Sequence, residues 1–159
     1  MILISLGANL ASSVGEPAET LRAALTELGK RDVKVAGTSF FYRTPAWPDP
    51  SDPPFTNAVA RIETAMEPAT LLETLHAVEV LFGRVRSVRN APRTLDLDIL
   101  DYDGRVGEGP PILPHPGITD RAFVLVPLGD VAPGWFHPVT GQSILQLLAR
   151  VDYSSVARL

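Results

Sequence analysis

The chain has no cysteine, which excludes disulfides and thiolate metal sites and removes any reason to place it in an oxidising compartment. It also lacks a basic surplus: 14 lysines and arginines face 18 aspartates and glutamates, for a net charge of −4. That is the wrong sign for a general nucleic-acid binder, whose cations pair with phosphates, so any anion site must be local. No apolar run approaches the ~20 residues of a membrane span, and the opening MILISLGANL has neither the length nor the basic flank of a signal peptide. These absences predict a cytoplasmic protein that engages neither membrane nor nucleic acid. No internal repeat is visible.

What is present suffices for one ordinary core: 159 residues, 45% hydrophobic and 20% charged, are expected to form a single domain over 1–159. The 15 prolines and 12 glycines belong in loops. Ile2 to Leu6 reads as a strand closed by Gly7, Ala8 and Asn9. A helix is predicted from about Pro17 to Leu28, with proline in its first turn, Leu21, Ala24, Leu25 and Leu28 at helical spacing, and Gly29 as its stop. Val33 to Arg43 and Phe55 to Thr64, rich in β-branched and aromatic residues, predict two strands. Between them the segment 45–54 carries five prolines and predicts a long, stiffened surface loop.

A second helix is expected over Pro68 to Phe82, burying Leu71, Leu72, Leu75, Val78 and Phe82. Glu79 falls on the same inward side and so needs a partner, either an internal arginine or a ligand. TLDLDILDYD, 94–103, is read as strictly alternating, a strand with one carboxylate face and one leucine and isoleucine face. A second proline and glycine loop over 104–117, a short apolar stretch from Ala122 to Val131 and a last helix from about Ser143 to Val151 complete the chain. The order β, α, β, β, α, β predicts an α+β fold with a ferredoxin-like split βαβ core, a mostly antiparallel sheet with helices packed on it.

Asp96 and Asp98 are two residues apart on a predicted strand, so both side chains leave one face, with Cα atoms roughly 6.6 Å apart. On the residues alone, the pair is either the wet side of an edge strand or a site for a hard cation. Magnesium takes one or two protein carboxylates and completes its shell with water and substrate phosphates. Just upstream, Arg84, Arg86, Arg89 and Arg93 fall within ten residues that include no acid. Like charges so crowded repel unless an anion is present, and the guanidinium fork matches phosphate oxygens. His115, held between two prolines, is either simply exposed or a donor to phosphate and a proton carrier. His137 and His76 have weaker claims. Phe55 and Phe123 read as core residues, and Asn57 inside a strand needs a partner.

GRVRSVRNAPRTLDLDIL from Gly83 to Leu100 and LPHPGITDRAFVLVPL from Leu113 to Leu128 closely resemble the 6-hydroxymethyl-7,8-dihydropterin pyrophosphokinases of folate biosynthesis. SLGANL near the start, SFFYRTPAW from Ser39 to Trp47 and Phe55-Thr56-Asn57 extend the resemblance over nearly the whole chain. It implies an ATP-dependent diphosphotransferase that moves the terminal diphosphate of ATP to the hydroxymethyl group of 6-hydroxymethyl-7,8-dihydropterin and releases AMP. By resemblance, Asp96 and Asp98 hold Mg2+, with two ions accompanying ATP. Arg84 and Arg93 engage the phosphates, and Arg86 and Arg89 assist. Asp98 doubles as a proton acceptor. His115 and Arg121 face the nucleotide and reaction centre, and Glu79 is an acid on the nucleotide side. Phe55 and Phe123 sandwich the pterin, while Asn57 and the backbone around Thr44, Pro45 and Trp47 form its hydrogen-bonding wall. His76, Ile112 and Gly117 depart from the family pattern near the adenine and ribose. A monomer is expected, because no helix has an apolar face to spare. The competing reading, a non-catalytic ferredoxin-like module binding a small anion, uses the arginines and leaves the paired carboxylates idle.

Overall fold

The computed structural model describes residues 1–85 and 91–159. At its centre β1 (Ile2–Ala8) runs antiparallel between β4 (Phe55–Glu63) and β5 (Asp96–Tyr102). β2 (Lys34–Thr38) and β3 (Tyr42–Thr44) both pair with β4, and β6 (Ala157–Arg158) pairs with β3. The path β5-β1-β4-β3-β6, with β2 beside β4, is an open antiparallel sheet that contains the expected split βαβ order.

The two-residue period of β1 sends its side chains to opposite faces, and each face has its own core. Ile2, Ile4 and Leu6 pack under α1 (Pro17–Gly29) and α2 (Pro68–Leu81), against Leu21, Ala24, Leu28, Leu71, Leu75 and Val78. A capping box between Glu16 and Glu19 starts α1, and prolines open both helices where a missing N–H does no harm. On the other face Leu3, Val59 and Leu100 pack under α3 (Ala122–Val131) and α4 (Ile144–Leu148), against Val124, Leu125, Leu128, Ile144 and Leu147. Each fully buried Leu or Val contributes about 1.5–3 kcal/mol. No helix of the described residues is long and apolar enough to cross a membrane.

Several local expectations are corrected. The single strand over Val33 to Arg43 is two strands, because the Ser39 hydroxyl takes the Val59 N–H at 2.9 Å and Phe40 N–H turns to Asp130. The alternation over 94–103 is not strict: pairing jumps from Leu3↔Asp101 to Ile4↔Ile99, so Leu100 is the extra residue of a bulge and shares the second face with Asp101. The apolar stretch 122–131 is a helix despite Pro127, sustained by its burial. The last helix is shorter than expected, starting after a Ser143 cap whose hydroxyl accepts from Gln146 N. The terminal strand β6 carries no apolar pattern of its own and went unpredicted.

Candidate active site

Register and pleat together assemble the site. Asp96 lies opposite Gly7, which lies opposite Asn57, which lies opposite Tyr42, so these residues form one row across four strands. The next row holds Asp98, Ser5 and Val59, and Phe55 pairs with Thr44 at the strand ends. Paired residues share a face, so Asp96, Asp98, Ser5, Gly7, Phe55, Asn57 and Thr44 all belong to the face covered by α3. With strands ~4.8 Å apart, Asp96 and Asn57 stand roughly 10 Å from each other across the bare Gly7. A cleft of about 540 Å3 opens over them.

The walls of the cleft include Thr44, Pro45, Trp47, Phe55, Asn57, Arg93, Asp96, Asp98, His115, Arg121 and Phe123, so most of the expected site residues meet in one place. Phe55 and Phe123 are half-buried members of that wall, not the closed core the residues alone suggest. Asn57 finds its partner in Thr44, donating from Nδ2 to Oγ1 at 2.7 Å, with both side chains buried. Trp47 is 72% exposed at the rim. His115 arrives because its N–H bonds the carbonyl of the bulged Leu100 at 2.9 Å, which hangs the loop beside β5.

Glu79 and Arg84 sit beneath the cleft wall. Glu79 is 1% exposed, and its Oε2 accepts from Leu97 N at 2.8 Å and from Arg84 Nη1 at 3.4 Å, the internal-arginine outcome of the two foreseen. Arg84 also donates to Leu95 O at 3.0 Å and to Asp96 Oδ1 at 2.8 Å, while Arg93 donates to Asp96 Oδ2 at 3.0 Å. The crowded arginines are therefore balanced in part by carboxylates of the chain itself. Arg86 and Arg89 lie outside the described residues. His137 is buried away from the site, its Nδ1 accepting from Val139 N and Thr140 N, and Ile112 is exposed.

The two aspartates differ electrostatically. Burial pushes Asp96 up, but Arg84 and Arg93 outweigh it and hold the carboxyl below the usual range. Asp98 is pushed up, by burial first and then by the charge on Asp96, with only partial relief from His115 and Arg121. Among the described residues no lysine or arginine lies within ion-pair distance of Asp98; His115 Nε2 is 3.9 Å from its Oδ2. Burial keeps His115 below its ordinary value. Two same-face carboxylates, one under-neutralised, are hard oxygen donors that fit a divalent cation such as Mg2+. No group of three or more candidate protein ligands gathers among the described residues, so substrate oxygens and water would complete the shell.

Residue-type reasoning missed three contributors. Gly7 is needed because a Cβ there would sit 2.9 Å from Asn57 Oδ1. Ser5 lies between Asp98 and Val59. Buried Asn9 joins the two loops of the site, donating to Pro53 O at 3.1 Å and accepting from Arg93 N at 2.8 Å. In the sequence Gly7 and Asn9 read as the turn that closes the first strand, Ser5 as part of that strand, and SLGANL as one segment of the resemblance.

Residues 3–133 match the family described as 7,8-dihydro-6-hydroxymethylpterin-pyrophosphokinase. The chain is 38% identical over 151 residues to a 2-amino-4-hydroxy-6-hydroxymethyldihydropteridine pyrophosphokinase of Methylorubrum extorquens, covering 94% of each. It is 36% identical over 156 residues to the Synechocystis protein of that name, covering 97% of this chain and 77% of the other. Among solved structures, Plasmodium falciparum HPPK-DHPS with STZ-DHP superposes at a TM-score of 0.72 and 15% identity over 94% of this chain. That likeness concerns the fold alone, and the chain spans 42% of the Plasmodium chain. A cleft joining paired aspartates to a half-buried aromatic wall, on this fold and with these relatives, leads to one conclusion: the chain belongs to the 7,8-dihydro-6-hydroxymethylpterin-pyrophosphokinase family of ATP-dependent diphosphotransferases.

Proposed function

We propose that this pyrophosphokinase transfers the diphosphate of ATP to the hydroxymethyl group of 6-hydroxymethyl-7,8-dihydropterin and releases AMP. The observation that carries the reading is the sheet face on which Asp96 stands across Gly7 from Asn57, with Asp98 in the next row of the same face. It supports a reading with a cation and polyphosphate site beside a pocket that has aromatic and amide walls. Phe55 and Phe123 flank the flat pterin, and Asn57, with Thr44, Pro45 and Trp47, forms its polar edge. Asp96 and Asp98 hold Mg2+, two ions with the nucleotide. When bound, the metal neutralises phosphate charge and helps align the reacting oxygens.

The chain's own groups supply orientation and charge. Arg93, His115 and Arg121 meet the phosphates from the cleft wall, and Arg84 holds Asp96 from below with Glu79 behind it. A bond forms between the hydroxymethyl oxygen and the β-phosphorus as the bond from that phosphorus to the α,β-bridging oxygen breaks, and its electron pair leaves on AMP. The hydroxyl proton passes to the carboxylate of Asp98, which lines the cleft beside the reacting oxygen. Arg86, outside the described residues, assists at the phosphates in this reading. The 159 residues act as one catalytic unit, a monomer in the cytoplasm, without nucleic acid or membrane as a partner. The test is product identity: with magnesium, ATP and the hydroxymethyl pterin, AMP accumulates in step with diphosphorylated pterin. Stoichiometric ADP would refute it.

A further inference from the structure

Gly117 is part of the cleft wall, and the space where its side chain would be is taken by another residue. A Cβ built there would meet Arg121 Nε at 2.5 Å, Cζ at 2.7 Å and Cδ at 3.1 Å. The backbone at 117 is outside the left-handed region, so what glycine provides in this chain is space for Arg121 and not a special φ. The same residue donates its N–H to His115 Nδ1 at 3.0 Å. In a neutral imidazole that leaves the proton on Nε2, the nitrogen 3.9 Å from Asp98 Oδ2. Arg121, at the N-cap of α3, reaches back with its guanidinium carbon 5.8 Å from the Phe123 ring centroid. One residue without a side chain thus touches both His115, which lies 3.9 Å from Asp98, and Arg121, another charged group of the cleft wall.

We propose that Gly117 is a positioning residue for diphosphate transfer: its bare Cα seats the Arg121 side chain and its N–H orients His115, so that both meet the polyphosphate on the Asp98 side of the cleft. This rests on the function proposed above and deepens it. Arg121 is exposed and rotamer-rich, and immobilising such a side chain costs conformational entropy. Packing it over Gly117 and toward Phe123 restricts it before ATP arrives. A methyl group at 117 displaces a flexible side chain, not the core, so the fold survives while the arginine is lost to the site.

A double-mutant cycle tests this, with Gly117→Ala, Arg121→Ala and the double variant compared with the parent for kcat, for KM of both substrates and for melting temperature. Gly117→Ala should melt within about 2 °C of the parent and raise KM for ATP about tenfold, with a much smaller change in KM for the pterin. In the Arg121→Ala background the same change should have no further effect, because the side chain it displaces is already gone. Parental kinetics for Gly117→Ala, effects that multiply in the double variant, or a large melting loss with unchanged KM would each overturn the proposal. The parent's turnover keeps the two ideas apart: a parent that makes no AMP defeats the proposed function, whereas an active parent matched by Gly117→Ala defeats only the positioning role.

Discussion

Replacing Asp96 and Asp98 one at a time by asparagine should move stability in opposite directions while removing activity in both. Asp96 accepts from Arg84 at 2.8 Å and from Arg93 at 3.0 Å, and its side chain is 26% exposed. An exposed ion pair contributes about 0.2–1 kcal/mol, and breaking a fully buried one costs about 3–5 kcal/mol. A partly buried pair with two donors falls between, about 1–2 kcal/mol, or a melting-temperature drop of about 2–8 °C in a chain of this size. Among the described residues Asp98 has no such partners, and it is held above the usual carboxyl range by burial and by Asp96. Its ionisation therefore opposes folding at neutral pH, and Asp98→Asn, of equal shape without the charge, should melt higher than the parent. The pH dependence separates them further. Stability from Asp96 is present above the unfolded carboxyl value of ~3.9 and is lost as pH falls through its lower folded value. The Asp98 penalty sets in as pH rises above ~3.9, so the advantage of Asp98→Asn should grow from pH 4 to 7. Thermal melts at low ionic strength, with AMP formation down at least ~100-fold in both variants, form the assay. Shifts of the same sign, or a less stable Asp98→Asn, would refute the electrostatic reading.

Phe55→Ala and Phe123→Ala should each cost less stability than the ~3–5 kcal/mol of a core phenylalanine and weaken pterin binding at least about tenfold while ATP affinity is kept; titration calorimetry checks this, and a large melting loss with unchanged pterin affinity would end the stacking role. Arg93→Ala, through its own contact with the phosphates, and Arg84→Ala, through the Asp96 it holds, should each lower kcat by more than they raise KM for ATP, as interactions made mainly in the transition state do. Arg84→Ala should also melt lower than Arg93→Ala, since Arg84 bridges Glu79, Leu95 O and Asp96; pure KM effects would make the two arginines a ground-state clamp. Burial holds His115 and His137 below the ordinary histidine value, so the unfolded chain takes up their protons first and stability falls as pH drops below ~6.5. His115→Gln should remove part of that slope in urea melts from pH 5 to 8, and an unchanged slope would show that His115 is not involved.

Much of this site is legible in residue types because its parts follow local periods. A spacing of two on a strand puts Asp96 and Asp98 on one face whatever surrounds them, and helical spacing on α2 turns Glu79 inward with Leu71, Leu75 and Val78. What could not be read is which distant group meets each of them. Arg84 appears in the sequence as an uncompensated cation, yet it is bound to Glu79, five residues before it, and to Asp96, twelve residues after it. Phe55 and Phe123 carry no mark that separates a half-open wall from a closed core, because hydrophobicity reports affinity for burial and not its completeness. By itself the sequence determined most of the elements, though not the break between β2 and β3 or the terminal β6, together with the inward stripes and the arginine and aspartate string, all of which depend on side chains within a few residues of one another. Only the tertiary structure decided that Gly7 clears the floor under Asn57, that the Leu100 bulge brings His115 beside Asp98, and that Arg121 lies over Gly117, because strand register and loop packing set those approaches.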